Sequence, residues 1–287
     1  MMEQSLKEKI CNELALWIES LQSRVVSSEE IFRNQNPEGD IERIASHTRN
    51  VFLVRSLKNF IRIATFLNQK IEQDPENSQM YLCQLRTLAD ILSRVIYVLS
   101  KDVIVSARII SCEDLLTVVK TTKQVYEEYY SEVVENNELL SSINNFPLKD
   151  EISSTRFKNL QKQEKMTLLF PSFEDRLDEN FIRSKTFNIS EKFKISLKEG
   201  LIRVHTGFSN HVHGNHFFNE PQGNEIFWLA TYSLIMVSYS CEIIDNEILN
   251  VEKAADTRRL VDSSIKLKDE ISTAWNIRFN KLRQKLA

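Results

Sequence analysis

Apolar residues recur along most of this chain at steps of three and four, the spacing that places them on one side of an α-helix. One such stripe runs over residues 4–33 and a second over 41–73. Only five glycines and five prolines interrupt the 287 residues. So few helix breakers exclude the many tight turns of a sandwich, a barrel or a doubly wound sheet. The sequence therefore predicts an all-α fold, a bundle of about eight to ten helices.

The strength of the apolar pattern divides the chain into three parts. Residues 40–250 are predicted to form the helical core domain. Residues 1–39 form an N-terminal helix that packs on this bundle. Residues 251–287 form a C-terminal helix with many charges and few apolar residues, which we expect to contact a protein partner or a second copy of the chain.

Charge and hydropathy exclude several classes of protein. The net charge of −3 does not support nucleic-acid binding through an overall basic surface, although a local basic groove remains open. The most apolar run, 226–244, contains Glu242 and several hydroxyl residues, which is typical of a buried helix rather than a membrane span. The first residues lack the apolar region of a signal peptide. We therefore expect a cytoplasmic protein without membrane contact.

Four of the five histidines lie within residues 203–216. On a helix, His205, Ser209 and His213 share one face at four-residue spacing, and Gly214 followed by Asn215 is a typical helix end. Histidines in a last turn interact favourably with the helix dipole, so a purely structural interpretation is available.

A catalytic interpretation of the same stretch is also available. Metal-independent RNA cleavage needs a base, an acid and a cation near the scissile phosphate. The near-neutral pKa of histidine suits His213, together with His211, for acid/base work. Ser209 lies beside them, and Arg86 and Arg203 are the candidates for binding the phosphate.

A metal interpretation is the third alternative. His211, His213 and His216 offer three imidazoles, and Glu220 offers a carboxylate, for a metal-dependent hydrolase. Their spacing matches no standard helical pair such as HExxH, and the four cysteines form no CxxC pair. The leading hypothesis therefore includes neither a metal ion nor any other cofactor.

Three charged residues interrupt the apolar helix predicted at 79–100. Arg86, Asp90 and Arg94 are four residues apart and share one face, so Asp90 can pair with either arginine. This face is either a structural ion-pair network or part of a functional cleft, in which Asp90 joins the catalytic residues. We expect the histidine stretch to meet it, with Arg86 and Asp90 within about 8 Å of His213.

The second predicted helix carries a row of basic residues opposite its apolar stripe. Such a face is either simply solvated or, as the less frequent alternative, contacts nucleic acid. Its members are Arg43, His47, Arg49, Arg55, Lys58 and Arg62.

Two segments resemble a bacterial domain-of-unknown-function family (number 5677). Residues 85–99, Leu-Arg-Thr-Leu-Ala-Asp-Ile-Leu-Ser-Arg-Val-Ile-Tyr-Val-Leu, resemble its R-[ST]-L-x-[DE]…Y-[IV]-L helix. Residues 208–214, Phe-Ser-Asn-His-Val-His-Gly, resemble its downstream [YF]-S-x-x-[VA]-H segment. The resemblance covers roughly residues 40–245 and implies an all-helical fold distantly related to HEPN domains, with Arg86, Asp90, Ser209 and His213 as the family-like positions. The R-x4-6-H spacing of HEPN nucleases is not found here.

The sequence thus leads to one principal functional hypothesis and two alternatives. The principal one is a bacterial defence or toxin-type effector that cleaves RNA without a metal ion. The first alternative is a non-catalytic helical module for protein–protein interaction, such as an antitoxin-like regulator. The second is the metal-dependent hydrolase built on the histidine cluster.

Overall fold

The computed structural model of the chain describes residues 2–33, 41–73, 81–107, 109–110, 171–178, 182, 197–207, 224–249 and separate positions between 260 and 284. This part of the chain contains no strand, which confirms the all-α prediction for it. Its elements are α1 (Met2–Arg33), α2 (Ile41–Gln73), α3 (Leu82–Leu99), α4 (Leu197–Gly207), α5 (Asn224–Ile244) and a π-helical turn, Asp245–Leu249.

Helix α5 lies at the centre of the bundle. Every residue from Leu229 to Ile244 is buried, and α1, α2 and α3 all pack against this helix. A helix that is apolar nearly all round has no side to turn to water, so the other helices must surround it. Two of its serines form hydrogen bonds within the helix: the Ser238 hydroxyl donates to the Ile235 carbonyl at 2.7 Å, and the Ser240 hydroxyl donates to the Met236 carbonyl at 2.9 Å.

Helix α1 contributes to the core rather than only covering it. Its stripe of large apolar side chains is almost fully buried. On another side it contacts the C-terminal residues, through an ion pair between Lys9 Nζ and Glu270 Oε2 at 2.8 Å and a hydrogen bond from Ser263 to Glu13. Thus α1 lies between α5 and the C-terminal segment. The stripe consists of Ile10, Leu14, Trp17, Leu21 and Val25.

Helices α2 and α3 complete the wall around α5. Helix α2 packs against both α1 and α3, and Lys58 of α2 forms an ion pair with Glu29 of α1. Helix α3 buries an apolar side that includes Leu85, Leu92 and Val95, and α4 packs against it through Leu197, Leu201 and Val204.

A buried ion pair fixes α1 to the end of α5. Arg24 Nε donates to Asp245 Oδ1 at 2.6 Å and Arg24 Nη2 to Asp245 Oδ2 at 3.2 Å, while both side chains are about 95% buried or more. The third guanidinium nitrogen donates to the carbonyl and hydroxyl of Ser20. Asp245 is the first residue of the π-helical turn. The local widening of the helix therefore coincides with the carboxylate that anchors α1.

None of the helices in the described part of the chain combines the length and the apolarity needed to cross a bilayer.

We expect Arg24→Met to lower the free energy of unfolding by about 3–5 kcal/mol, because it leaves the Asp245 carboxylate buried without its partner. Urea denaturation followed by circular dichroism measures this loss. The double variant Arg24→Met/Asp245→Leu should recover most of it, since an apolar pair of similar volume replaces the ions.

The matched control is Lys9→Met, which removes the cation of the half-exposed pair with Glu270. This variant should change the free energy of unfolding by less than about 1 kcal/mol. An equally small effect of Arg24→Met would contradict the anchoring role of the buried pair.

Candidate functional site

The charged residues predicted on one face of α3, Arg86, Asp90 and Arg94, lie together at the edge of the core. Asp90 Oδ2 lies 4.0 Å from Arg94 Nε one helical turn away. The Asp90 and Arg94 side chains are 41% and 33% exposed. Arg86 is also partly buried. The face therefore has access to solvent while its arginines remain partly desolvated, which strengthens their electrostatic effect on neighbours.

Helix α4 brings a histidine to this face. The spacing of Leu197, Leu201 and Val204 turns one side of α4 towards α3, and His205 follows at the edge of that buried side. The Nη2 atom of Arg86 lies 3.4 Å from the Nε2 atom of His205. The first histidine of the 203–216 stretch thus meets the arginine of α3.

A short turn at residues 171–178 packs over the same part of α3. The Ser172 hydroxyl accepts a hydrogen bond from the Asp175 amide at 3.4 Å and lies 2.5 Å from its carboxylate, which closes the turn locally. Phe173 is 5% exposed and its ring stacks on that of His205, with centroids 3.9 Å apart and planes 9° from parallel. The imidazole therefore contacts a phenyl ring with its face and a guanidinium with its Nε2 atom.

Arg176 ties this turn to α3. Its Nη1 atom donates to Asp90 Oδ1 at 2.8 Å and to the Ser93 hydroxyl at 3.2 Å, and its Nε atom donates to the Pro171 carbonyl at 2.9 Å. Its side chain is 13% exposed, far less than that of Asp90. Asp90 is thus a carboxylate shared by two arginines, Arg94 of its own helix and Arg176 of the turn.

The surroundings of His205 favour the neutral form of its imidazole. Partial burial is the main cause that lowers its pKa below the ordinary value of 6.5, and the positive charges of Arg86 and Arg176 act in the same direction. The carboxylates of Asp90 and Glu174 oppose this shift without reversing it. Because a guanidinium only donates hydrogen bonds, the contact with Arg86 indicates that Nε2 is the unprotonated nitrogen and that Nδ1 carries the proton.

Arg203, the second candidate for phosphate binding, lies on another side of α4. Side chains two positions apart on an α-helix differ by about 200° in direction. Arg203 and His205 therefore point to nearly opposite sides of α4. Arg203 Nη2 donates to Glu199 Oε1 at 2.5 Å on the exposed side of the helix. It also hydrogen-bonds Tyr232 of α5, where burial raises the pKa of the phenol and Arg203 partly offsets that effect.

The remaining predicted site residues lie outside the described residues. These include the catalytic candidates and the members of the metal alternative, so their distances to Arg86 and Asp90 stay predictions. In the ranges that the structure does describe, no three His, Cys, Asp or Glu side chains are grouped to hold a metal ion. The residues outside are Ser209, His211, His213, His216 and Glu220.

Three members of the cluster were not selected from the sequence as site residues. His205 is visible in the i, i+4, i+8 pattern with Ser209 and His213, but its neighbours gave no reason to prefer it. Phe173 and Arg176 lie in a segment without clear periodicity. Only the Ser-x-x-Asp pattern at Ser172 marks that segment as a closed turn, and nothing local shows that the turn packs on α3.

Comparison of the chain with protein-family models, curated proteins and solved structures finds no match. The resemblance to the bacterial helical family and to HEPN domains therefore stays a prediction.

The electrostatic environment of His205 can be measured directly. We expect an NMR titration of its imidazole to give a pKa below 6.5. Arg176→Gln should raise this pKa because it removes a nearby positive charge, and Asp90→Asn should lower it further because it removes a negative one. Arg203→Gln, on the same helix but on its other side, should leave the pKa unchanged.

The same pKa makes stability depend on pH. Between the folded pKa and the unfolded value of 6.5, the unfolded chain binds more protons than the folded one, so the free energy of unfolding falls as the pH is lowered through this window. His205→Gln should reduce that dependence. A pKa of 6.5 or higher in the native protein would refute the predicted lowering of the pKa of His205.

Proposed function

We propose that the chain is a metal-independent ribonuclease of the bacterial defence or toxin type, with His205 as the catalytic base. The observation that carries this proposal is the contact between His205 Nε2 and Arg86 Nη2 at 3.4 Å. It combines, at one partly exposed point, a neutral imidazole and a cation able to bind phosphate, which are two of the three groups that RNA cleavage requires.

The proposed reaction uses the 2′ hydroxyl of the RNA itself. Arg86 turns its donors from the imidazole to a phosphate oxygen, which frees Nε2 to accept the proton of the 2′ hydroxyl. The 2′ oxygen attacks phosphorus, the bond to the 5′ oxygen breaks, and an acid protonates that leaving oxygen. The products are a 2′,3′-cyclic phosphate and a free 5′ hydroxyl. His213, with His211 and Ser209, remains the proposed source of the acid.

Asp90 and Arg176 support the base without touching the substrate. Asp90 holds Arg176 at 2.8 Å, and the turn that contains Arg176 also contributes Phe173, which stacks on the imidazole. A stacked ring restricts the rotation of the imidazole, so Nε2 keeps its direction. Arg176 also adds to the positive potential at the site, which favours an anionic phosphate and the developing charge on it.

The proposal has further parts. Arg203 remains a proposed phosphate contact for a strand that passes around α4. A HEPN-like core and a cytoplasmic location belong to the same proposal. The interaction module and the metal-dependent hydrolase are the alternatives that the following experiment distinguishes.

Purified protein should cleave single-stranded RNA in the presence of EDTA and leave 2′,3′-cyclic phosphate ends. His205→Ala should reduce the initial rate about 100-fold or more, because loss of a general base costs that much. Arg86→Gln should reduce it similarly, and His213→Ala tests the acid. Gel electrophoresis of end-labelled RNA measures each rate.

Lys9→Met is the control, because Lys9 lies on α1 in an exposed pair with Glu270 and belongs neither to the candidate site nor to the basic row of α2. It should keep the wild-type rate. Cleavage that EDTA abolishes would favour the metal-dependent hydrolase, and no cleavage by any form of the protein would favour the interaction module. Full activity of His205→Ala would reject His205 as the base.

A further inference from the structure

Helix α2 has an unusual distribution of charge. Its residues 43–71 include six arginines and lysines and no aspartate or glutamate, in a chain whose net charge is −3. Acidic residues elsewhere in the chain therefore outnumber basic ones, and α2 is a local concentration of positive charge. Only a local concentration of this kind can attract an anionic partner to an acidic protein.

Part of this charge lies on one outward face. Residues 55, 59, 62, 66 and 70 are separated by steps of four, three, four and four, which places them within an arc of about 80° and along about 22 Å of the helix. All of them are exposed or partly exposed, whereas the opposite side of α2 is buried in the core. We call this set the α2 outer face; its members are Arg55, Asn59, Arg62, Phe66 and Lys70.

Among the described residues, no neighbour neutralises the arginines of the α2 outer face. Within the described residues, neither Arg55 nor Arg62 has a carboxylate at ion-pair distance, although both are exposed. Lys58, off this face, is instead paired with Glu29 of α1. The positive charge of the outer face is therefore available to a partner.

An aromatic ring interrupts the row of cations. Phe66 is 38% exposed, Lys70 Nζ lies 5.9 Å from its ring centroid, and the ring of Tyr81 meets it edge-on at 5.7 Å. The edge contact with Tyr81 fixes the phenyl ring in place. A fixed, exposed ring between Arg62 and Lys70 is a stacking platform flanked by phosphate-binding groups.

We propose that the α2 outer face binds single-stranded RNA. Alternating cations and an aromatic ring match a strand that alternates phosphates and bases, since stacking accepts any base and the cations follow the backbone. An anionic membrane fits less well because the apolar side of α2 is buried and unavailable for insertion. An acidic peptide would use the cations but offers no regular partner for Phe66.

The position of this face connects it with the candidate active site. Tyr81, in contact with Phe66, precedes Arg86 by five residues, or about 7.5 Å along the helix axis. A strand on the α2 outer face would therefore reach the beginning of α3, the helix that carries Arg86. The choice of RNA over DNA rests on the proposed function; the binding surface itself does not require that His205 be catalytic.

The experiment measures binding apart from cleavage. The probe is a fluorescein-labelled 2′-O-methyl oligouridylate of about 12 nucleotides, a length within the range that single-strand-binding sites cover. It cannot be cleaved through its 2′ oxygen. Fluorescence anisotropy gives the dissociation constant at several salt concentrations for the full chain and its variants, and circular dichroism verifies that each variant is folded.

We expect Arg55→Gln/Arg62→Gln to weaken binding and to reduce the slope of log affinity against log salt by about 1.4, or about 0.7 for each lost phosphate contact. Phe66→Leu should weaken binding about tenfold without changing that slope, because it removes stacking and no charge. The charge-matched control, Lys7→Gln/Lys9→Gln, changes one partly exposed and one exposed cation of α1 and should bind nearly as the wild type does.

Equal affinities and slopes for the two double variants would overturn the proposal. Displacement of the probe by polyglutamate as effectively as by unlabelled strand would overturn it as well, because the face would then recognise negative charge alone. Binding that depends on α2 without any cleavage of natural RNA keeps this inference and rejects the ribonuclease. Cleavage without such binding rejects this inference and keeps the ribonuclease.

Discussion

Burial of α5 on all sides determines how the rest of this chain is arranged. A helix without a polar side must be surrounded, and α1, α2 and α3 meet that requirement with continuous apolar stripes. Each surrounding helix uses one side for this purpose and has its other sides free for polar residues. The charged face of α3 and the basic face of α2 exist because the core needs only half of each helix.

Two groups of charged residues in this protein differ in how completely their charges are paired. At the junction of α1 and α5, Arg24 and Asp245 satisfy each other so fully that neither has capacity for a ligand. On α3, Asp90 is one carboxylate beside several arginines, so positive charge remains in excess around His205. The first arrangement is typical of structural stabilisation. In the arrangement on α3, the hydrogen-bond donors of Arg86 and the imidazole of His205 lie at a partly exposed position. Such a position is suited to binding an anion.

Within the described part of the chain, the apolar pattern predicted the helices α1, α2, α3 and α5 and the charged face of α3. Periodicity placed α2 at its observed bounds, and the four-residue spacing of Arg86, Asp90 and Arg94 identified the charged face of α3. Periodicity could not show that His205 is the histidine that reaches Arg86, because a spacing fixes directions on one helix and not the packing of two. It also could not show that Phe173 and Arg176 cover the site, since their segment is held by single long-range contacts rather than by a repeating pattern.

The position of α1 has a consequence for the order in which the protein consolidates during synthesis. Arg24 leaves the ribosome 221 residues before Asp245, and Lys9 precedes Glu270 by 261. Until those partners emerge, the 32-residue helix α1 lacks part of the surroundings that bury Trp17 and the Arg24 guanidinium in the folded protein. Contacts of such high sequence separation form slowly and leave apolar surface open to association. The earliest long helix of this chain is therefore among the last to reach its native surroundings.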